Sequence, residues 1–203
     1  MIFNSYWFIT AVILFFIIFA LVRKPNLRKY LLLTFCIIFH GHFAGKAGVL
    51  PILIVGMVVF FCGLSKNRKA LIFGIVLSAT SLLWYKYTLF FTREIISYLN
   101  IDIGKQATLW AIDKLPSSPP LAISFFAFEF VHYQVDVYKG SKPMRNLVDF
   151  WSFALFFPSL LAGPIKRYEQ FIPALNEGLS QVNKSDVAIG LQRIAVGFFK
   201  KII

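Results

Sequence analysis

Glu129, His132 and Asp136 interrupt an apolar run from Leu121 to Tyr138. Their spacings of three and four put them on one face of a helix. Charge at membrane depth is costly, so that face must look into protein or into a water-filled path, not into lipid. Three readings fit the pattern. It is a polar seam against a neighbouring helix, the wall of a substrate tunnel, or a metal site. One His with two carboxylates gives the third little support.

A second group sits in Phe156-Phe157-Pro158-Ser159-Leu160-Leu161-Ala162-Gly163-Pro164-Ile165-Lys166-Arg167-Tyr168. Pro158, Gly163 and Pro164 break a short apolar stretch, which predicts a re-entrant segment shielded by protein or a cavity. Lys166 and Arg167 follow at once and could hold a phosphate or another anion. A turn facing lipid headgroups is the plainer alternative. Lys86, in Trp84-Tyr85-Lys86-Tyr87, either snorkels to the outer interface or faces a polar cavity. His40 and His42 flank Gly41 and are expected at an interface. No nucleophile elbow, phosphate loop or zinc motif occurs in the sequence.

The elements that would carry these groups are membrane helices. Hydrophobic residues make up 58% of the 203, with 24 Phe, and mean hydropathy is +0.72. A soluble chain of this length has too little interior to bury so much apolar surface. The formal charge is +12, but the basic residues cluster between apolar runs, as on cytoplasmic loops. No basic stripe interleaved with aromatics suggests a nucleic-acid partner. Cys36 and Cys62 lie within apolar runs and are expected as small buried hydrophobes, not as a disulfide.

Five runs are expected to cross the bilayer: Tyr6 to Val22, Tyr30 to Phe43, Val49 to Leu64, Leu71 to Phe91, and Leu121 to Tyr138. The first lacks a basic n-region and a cleavage motif, so it is expected to stay as a helix. Gly41, Gly45 and Gly48 mark the turn between the second and third runs. Residues 92–120 mix charge with Trp110 and aliphatics, and an amphipathic helix is expected around Gln106 to Leu115, lying in the interface. Phe150 to Leu161 is too short to span. Ser185 is the expected N-cap of a final helix whose apolar run begins at Val187. Gly56, Gly74, Ala162 and Gly163 are plausible close-packing points. Basic residues dominate the loops 23–29, 65–70 and 139–149, which places those loops in the cytoplasm and the N-terminus outside. The fold class is therefore all-α: a polytopic transmembrane helical bundle with a short re-entrant segment. Its single domain, 1–203, divides into four N-terminal helices (1–91), an extracytoplasmic interfacial segment (92–120) and a motif region (121–203).

Pro120-Leu121-Ala122-Ile123-Ser124-Phe125-Phe126-Ala127-Phe128, then Asp136-Val137-Tyr138-Lys139-Gly140, then Phe156 to Tyr168, resemble the membrane-bound O-acyltransferase (MBOAT) family. The likeness is to the bacterial branch that includes alginate O-acetyltransferase, with the motif's last Arg at Arg167. Trp84-Tyr85-Lys86-Tyr87 and Gly197-Phe198-Phe199-Lys200-Lys201 also resemble it. Ala122 stands where Gly is usual, Phe126-Ala127 replace Tyr-Thr, and Glu129 and His132 replace neutral residues.

The resemblance implies transfer of an acyl group, acetyl by expectation, to hydroxyls of an extracytoplasmic polysaccharide or other envelope polymer. The donor, acetyl-CoA or an acylated carrier, would arrive from the cytoplasmic side as substrate, with no bound cofactor and no metal. Partners would be the lipid bilayer, the polysaccharide and a periplasmic acyltransferase protein. The location would be the bacterial inner membrane. The family's general-base His is expected downstream of Ile203, which makes this chain an N-terminal part that is inactive alone. No residue here is assigned as catalytic. Glu129, His132, Asp136, Lys166 and Arg167 are expected to line the tunnel or support its lining. A transporter or channel subunit conducting along the Glu129 face, and an inert membrane scaffold, are the competing readings.

Overall fold

The computed structural model describes residues 5–116, 119–160, 163–181 and 183–202. Among these the chain is helical, with no strand. It divides into two compact units, residues 1–31 with 169–203, and residues 32–168.

Helix α1 (Tyr6–Leu21) starts at Ser5, whose hydroxyl accepts from the Phe8 amide at 3.2 Å. Phe15 is its buried side chain, while Ile13, Leu14, Phe16, Ile17 and Ile18 are exposed. Lipid is the medium that suits such a surface. α2 (Pro25–Ser65) begins with Pro25, tolerated in a first turn because that amide has no intrahelical partner. It bends at Gly45, whose φ of 64° favours glycine. The bend falls on the middle one of the three glycines expected at the turn.

α3 (Arg68–Leu99) is a continuous apolar helix containing two π-helical turns, Leu83–Tyr87 and Phe91–Ile96. It runs past the expected end at Phe91. Asn100 then caps α4 (Ile101–Lys114), accepting from the Asp102 and Ile103 amides at 3.1 Å each. That cap makes α4 longer at its start than the expected Gln106 to Leu115. Trp110 packs edge-on against Trp84 at 5.7 Å, and α4 folds back on the end of α3.

α5 (Ile123–Tyr138) packs along the first half of α3. Gly74 lets them approach: a Cβ there would lie 2.8 Å from Gln134 Nε2. Gly56 similarly makes room for Trp151 and Phe130. α6 (Leu147–Ala154) is capped by Asn146, and α7 (Phe157–Leu160) follows after a break at Leu155 and Phe156. The break comes before Pro158, not at it. Pro158 cannot donate back to Ala154 and disfavours helix at its predecessor, so α6 must stop and a new first turn must accept the proline. Leu161, Ala162, Ser117 and Ser118 lie outside the described residues.

The core of unit 32–168 is aromatic. Phe130 stacks on Phe150 at 5.9 Å, with Phe60, Tyr133 and Trp151 edge-on around the Phe150 ring. Cys36 and Cys62 are buried and unpaired.

In the other unit, Arg28 donates to Leu179 O at 2.9 Å, near the end of α8 (Tyr168–Ser180), and to Val22 O at 2.6 Å. A cation there also complements the helix dipole. α9 (Lys184–Ile202) follows. Val187 N–H bonds to Asn183 O, so α9 starts before Ser185, and the expected Ser185 cap is corrected.

Gly48–Ser65 and Arg68–Leu99 are long and apolar enough to cross a membrane by length and composition. α1 and α5 have 16 residues each, about 24 Å of rise against a ~30 Å hydrocarbon core. Both are shorter than expected. Pro25 lies just beyond α1. Pro119-Pro120 ahead of α5 and Gly140 after it, at φ 110°, fix the bounds of α5.

Candidate functional site

α5 presents the polar residues, and its start explains their placement. Ala122 adopts left-handed backbone, φ 60° and ψ 19°, between Pro120 and the first helical residue. The Phe126 amide bonds to Ala122 O at 3.0 Å, opening the helix there. From that start, Ile123, Phe126, Ala127, Phe130, Gln134 and Val137 face the core. Glu129, His132 and Asp136 lie within roughly 60° of one another, on the flank of that buried arc, at 100° per residue. Glu129 is nearest the core and is fully buried, whereas His132 and Asp136 are half-buried.

Lys166 reaches Glu129 from the segment after α7. Its Nζ lies 2.8 Å from Glu129 Oε1, and the side chains are 9% and 0% exposed. It also donates to Ser159 Oγ at 2.8 Å. The rings of Phe125, Phe153 and Phe156 surround the ammonium at 5.2, 5.2 and 5.6 Å. Aromatic faces replace part of the lost hydration. Glu129 Oε2 is buried with no hydrogen-bond partner among the described residues.

The backbone that delivers Lys166 is tightly constrained. Gly163 N–H bonds to Ser159 O at 3.0 Å, and a Cβ on Gly163 would sit 2.5 Å from Ser159 Cα. Only glycine fits that approach. Pro158 and Pro164 are exposed. Two residues beyond Lys166, Tyr168 is buried, donates to Lys142 O at 2.9 Å and meets Tyr133 edge-on at 5.1 Å. Lys166 and Tyr168 thus anchor the segment's end on both sides of Arg167, which is exposed.

The structure therefore brings Glu129 and Lys166 together and separates the basic pair. Lys166 and Arg167 do not form a joint anion site, because Lys166 turns inward to a carboxylate whereas Arg167 is exposed. His40, expected at an interface, is 2% exposed and packs edge-on against Phe126 at 5.3 Å. α5 covers it there. His42 is exposed, against Phe43. Lys86 donates to Ser124 Oγ at 3.0 Å in the first turn of α5. Among the described residues no three of His, Cys, Asp and Glu gather as metal ligands.

Two further side chains, Gln134 and Ser159, take part in the packing around the site. Gln134 is wholly buried and donates from Nε2 to Val59 O at 2.6 Å, joining α5 to α2. Its signal was a polar side chain within a membrane run, off the face that Glu129 defines. Ser159 carried no signal beyond its place between Pro158 and Gly163.

The membrane-bound O-acyltransferase family model matches residues 35–203. The chain belongs to that family. Its family region contains every residue of the Lys166–Glu129 site. Among similar proteins are two named probable alginate O-acetylase AlgI. That of Pseudomonas aeruginosa is 33% identical over 136 residues, covering 66% of this chain and 25% of that protein. That of Azotobacter vinelandii is 42% identical over 84 residues, 41% of this chain and 16% of that one. The peptidoglycan O-acetyltransferase of Helicobacter pylori is 27% identical over 227 aligned positions, 93% of this chain and 40% of that protein. This O-acyltransferase-family chain thus spans about a quarter of the length of the P. aeruginosa relative. No solved structure matches it.

The Lys166–Glu129 pair offers this family member a brace. One carboxylate on α5 and one ammonium after α7 fix the segment after α7 against the helix that carries the polar flank. In so dry a surrounding, removing either partner leaves the other buried and uncompensated.

Proposed function

We propose that this chain contributes to a membrane-bound O-acyltransferase that places acyl groups, acetyl first among them, on hydroxyls of an extracytoplasmic polysaccharide or envelope polymer. The observation that carries the reading is the family match over residues 35–203. The names of the relatives, alginate O-acetylase and peptidoglycan O-acetyltransferase, support an acetyl group and a glycan acceptor. The donor would be acetyl-CoA or an acylated carrier entering from the cytoplasmic side. The polymer, with a periplasmic acyltransferase protein, would receive the group outside the bacterial inner membrane.

Within that enzyme this chain's own residues would position and exclude. Lys166 and Glu129 hold the re-entrant segment, and the Phe cage keeps water from the pair. His132, Asp136 and Arg167, less buried, would line the polar path or support its wall. The half-burial of His132 and Asp136 beside Glu129 favours this over a conducting row of carboxylates, because Glu129 is already paired with Lys166.

The test is a host strain deleted for its own polysaccharide O-acetylase and carrying the complete reading frame that contains this chain. Ester-linked acetate on the purified polymer supports the proposal. Membrane-inserted protein without ester on any envelope polymer refutes it.

A further inference from the structure

α3 and α5 run antiparallel, as three contacts along them establish: Lys86 with Ser124, Gly74 with Gln134, and Arg68 with Tyr138. The start of α3 and the end of α5 therefore share one end of the unit 32–168, where the basic loops 65–70 and 139–149 meet. Packing holds both loops. Gly63, just before the first, approaches Tyr133 so closely that a Cβ would strike its ring, and Tyr168 donates to Lys142 O at 2.9 Å in the second. Lys66, Arg68 and Lys69 from one loop, and Lys139, Lys142 and Arg145 from the other, are all exposed. None of these six forms an ion pair among the described residues. The acids nearest in sequence, Asp136 and Asp149, are half-buried.

Arg68 is the organised member of the group. Its guanidinium lies over the Tyr138 ring, 5.5 Å from the centroid. The ring holds it in place without consuming an N–H donor, so its fork remains for two oxygens of one phosphate. Along α3 the surface then turns apolar. Ile72 is four residues on from Arg68, and Phe73 and Val76 are four and seven on from Lys69, so each shares a face with the cation before it. These three side chains are exposed, on a helix long and apolar enough to cross a membrane. Cations at the helix start with an apolar strip beyond them match an amphiphile with a negative headgroup. A soluble anion would use only the basic half of this surface.

We propose that this end of the protein binds an anionic phospholipid, its phosphate gripped by Arg68 on Tyr138 with Lys69 beside it, and its acyl chain along Ile72, Phe73 and Val76. The other four cations add attraction for the negative headgroup. The site lies apart from the Lys166–Glu129 pair and does not depend on the acyltransferase reading.

The experiment titrates the complete protein, in neutral detergent, with phosphatidylglycerol and in parallel with phosphatidylcholine, and counts bound lipid by native mass spectrometry. Phosphatidylglycerol is expected to bind about tenfold more tightly. Arg68→Gln/Lys69→Gln should lower it to the level of phosphatidylcholine. Lys105→Gln/Lys114→Gln, which removes the same charge from α4, should leave it unchanged. Tyr138→Leu removes no charge and should still weaken binding about threefold, the worth of one cation–π contact. Equal affinity for the two lipids would overturn the proposal. So would equal losses from the two charge-removing pairs, since general attraction to a basic protein would then account for the binding. Displacement of the lipid by inorganic phosphate would overturn it too, assigning the site to a soluble anion.

Discussion

Lys166 Nζ stands 2.8 Å from Glu129 Oε1, with both side chains withdrawn from solvent. The two residues come from separate elements, so their contact ties the segment after α7 to the middle of α5. Breaking a buried pair by removing one partner costs about 3–5 kcal/mol, while replacing both with apolar residues is often neutral. Glu129→Leu and Lys166→Met singly should each lower stability by about that amount. The double variant should recover most of it. Unfolding of the purified protein in mixed micelles reads all three. Additive losses in the double variant would show that the two groups do not act as a pair.

Arg167 offers the contrast, since it is exposed beside a buried neighbour. Arg167→Gln should change stability by less than about 0.5 kcal/mol, as for surface substitutions generally. Any effect on acyl transfer at unchanged stability would then assign Arg167 to substrate or headgroup contact.

Ala122 holds left-handed backbone that costs a residue with a Cβ about 1–2 kcal/mol. Ala122→Gly should therefore stabilise the protein by about 1 kcal/mol, less the added freedom of glycine in the unfolded chain. Ala122→Val should destabilise it. The midpoint of thermal unfolding, measured for all three side by side, checks the order Gly, Ala, Val.

Gly163 and Gly56 meet neighbours that a methyl group would strike: the Ser159 backbone for Gly163 and the Trp151 ring for Gly56. Overpacking of this kind costs about 1–3 kcal/mol. Gly163→Ala should cost more, because backbone cannot swing aside as a ring can. A smaller loss at 163 than at 56 would mean that the backbone around Gly163 is looser than its geometry implies.

Much of this architecture was legible in the residues. Apolar length marked α1 and the greater part of α3, glycine marked the bend in α2, and spacings of three and four put Glu129 on a face turned from lipid. The partner of Glu129 was not legible. Nothing local in Lys166-Arg167 says which of two adjacent cations turns inward; that depends on the Gly163 approach to Ser159 and on three phenylalanines from α5, α6 and the break after α6. The burial of His40 was not legible for the same reason. Its neighbours in sequence suggest a helix end, whereas its burial comes from Phe126 across the packing. Gly56, Gly74 and Gly163 were readable as small residues at packing points, because close helix approach has few other solutions. The early end of α1 and the late start of α5 fall beside prolines, Pro25 and Pro119-Pro120, whose effect on length the apolar pattern alone overlooks.

The most direct test of the central claim is acyl transfer by the complete protein in proteoliposomes. Acetyl-CoA labelled in the acetyl group is supplied on one face and purified envelope polysaccharide, with the periplasmic acyltransferase protein, on the other. Base-labile label on the polymer, reduced in parallel with stability by Lys166→Met and restored in the Glu129→Leu/Lys166→Met double variant, is the predicted result. Folded, correctly inserted protein that transfers no label from acetyl-CoA or from an acylated carrier would contradict it.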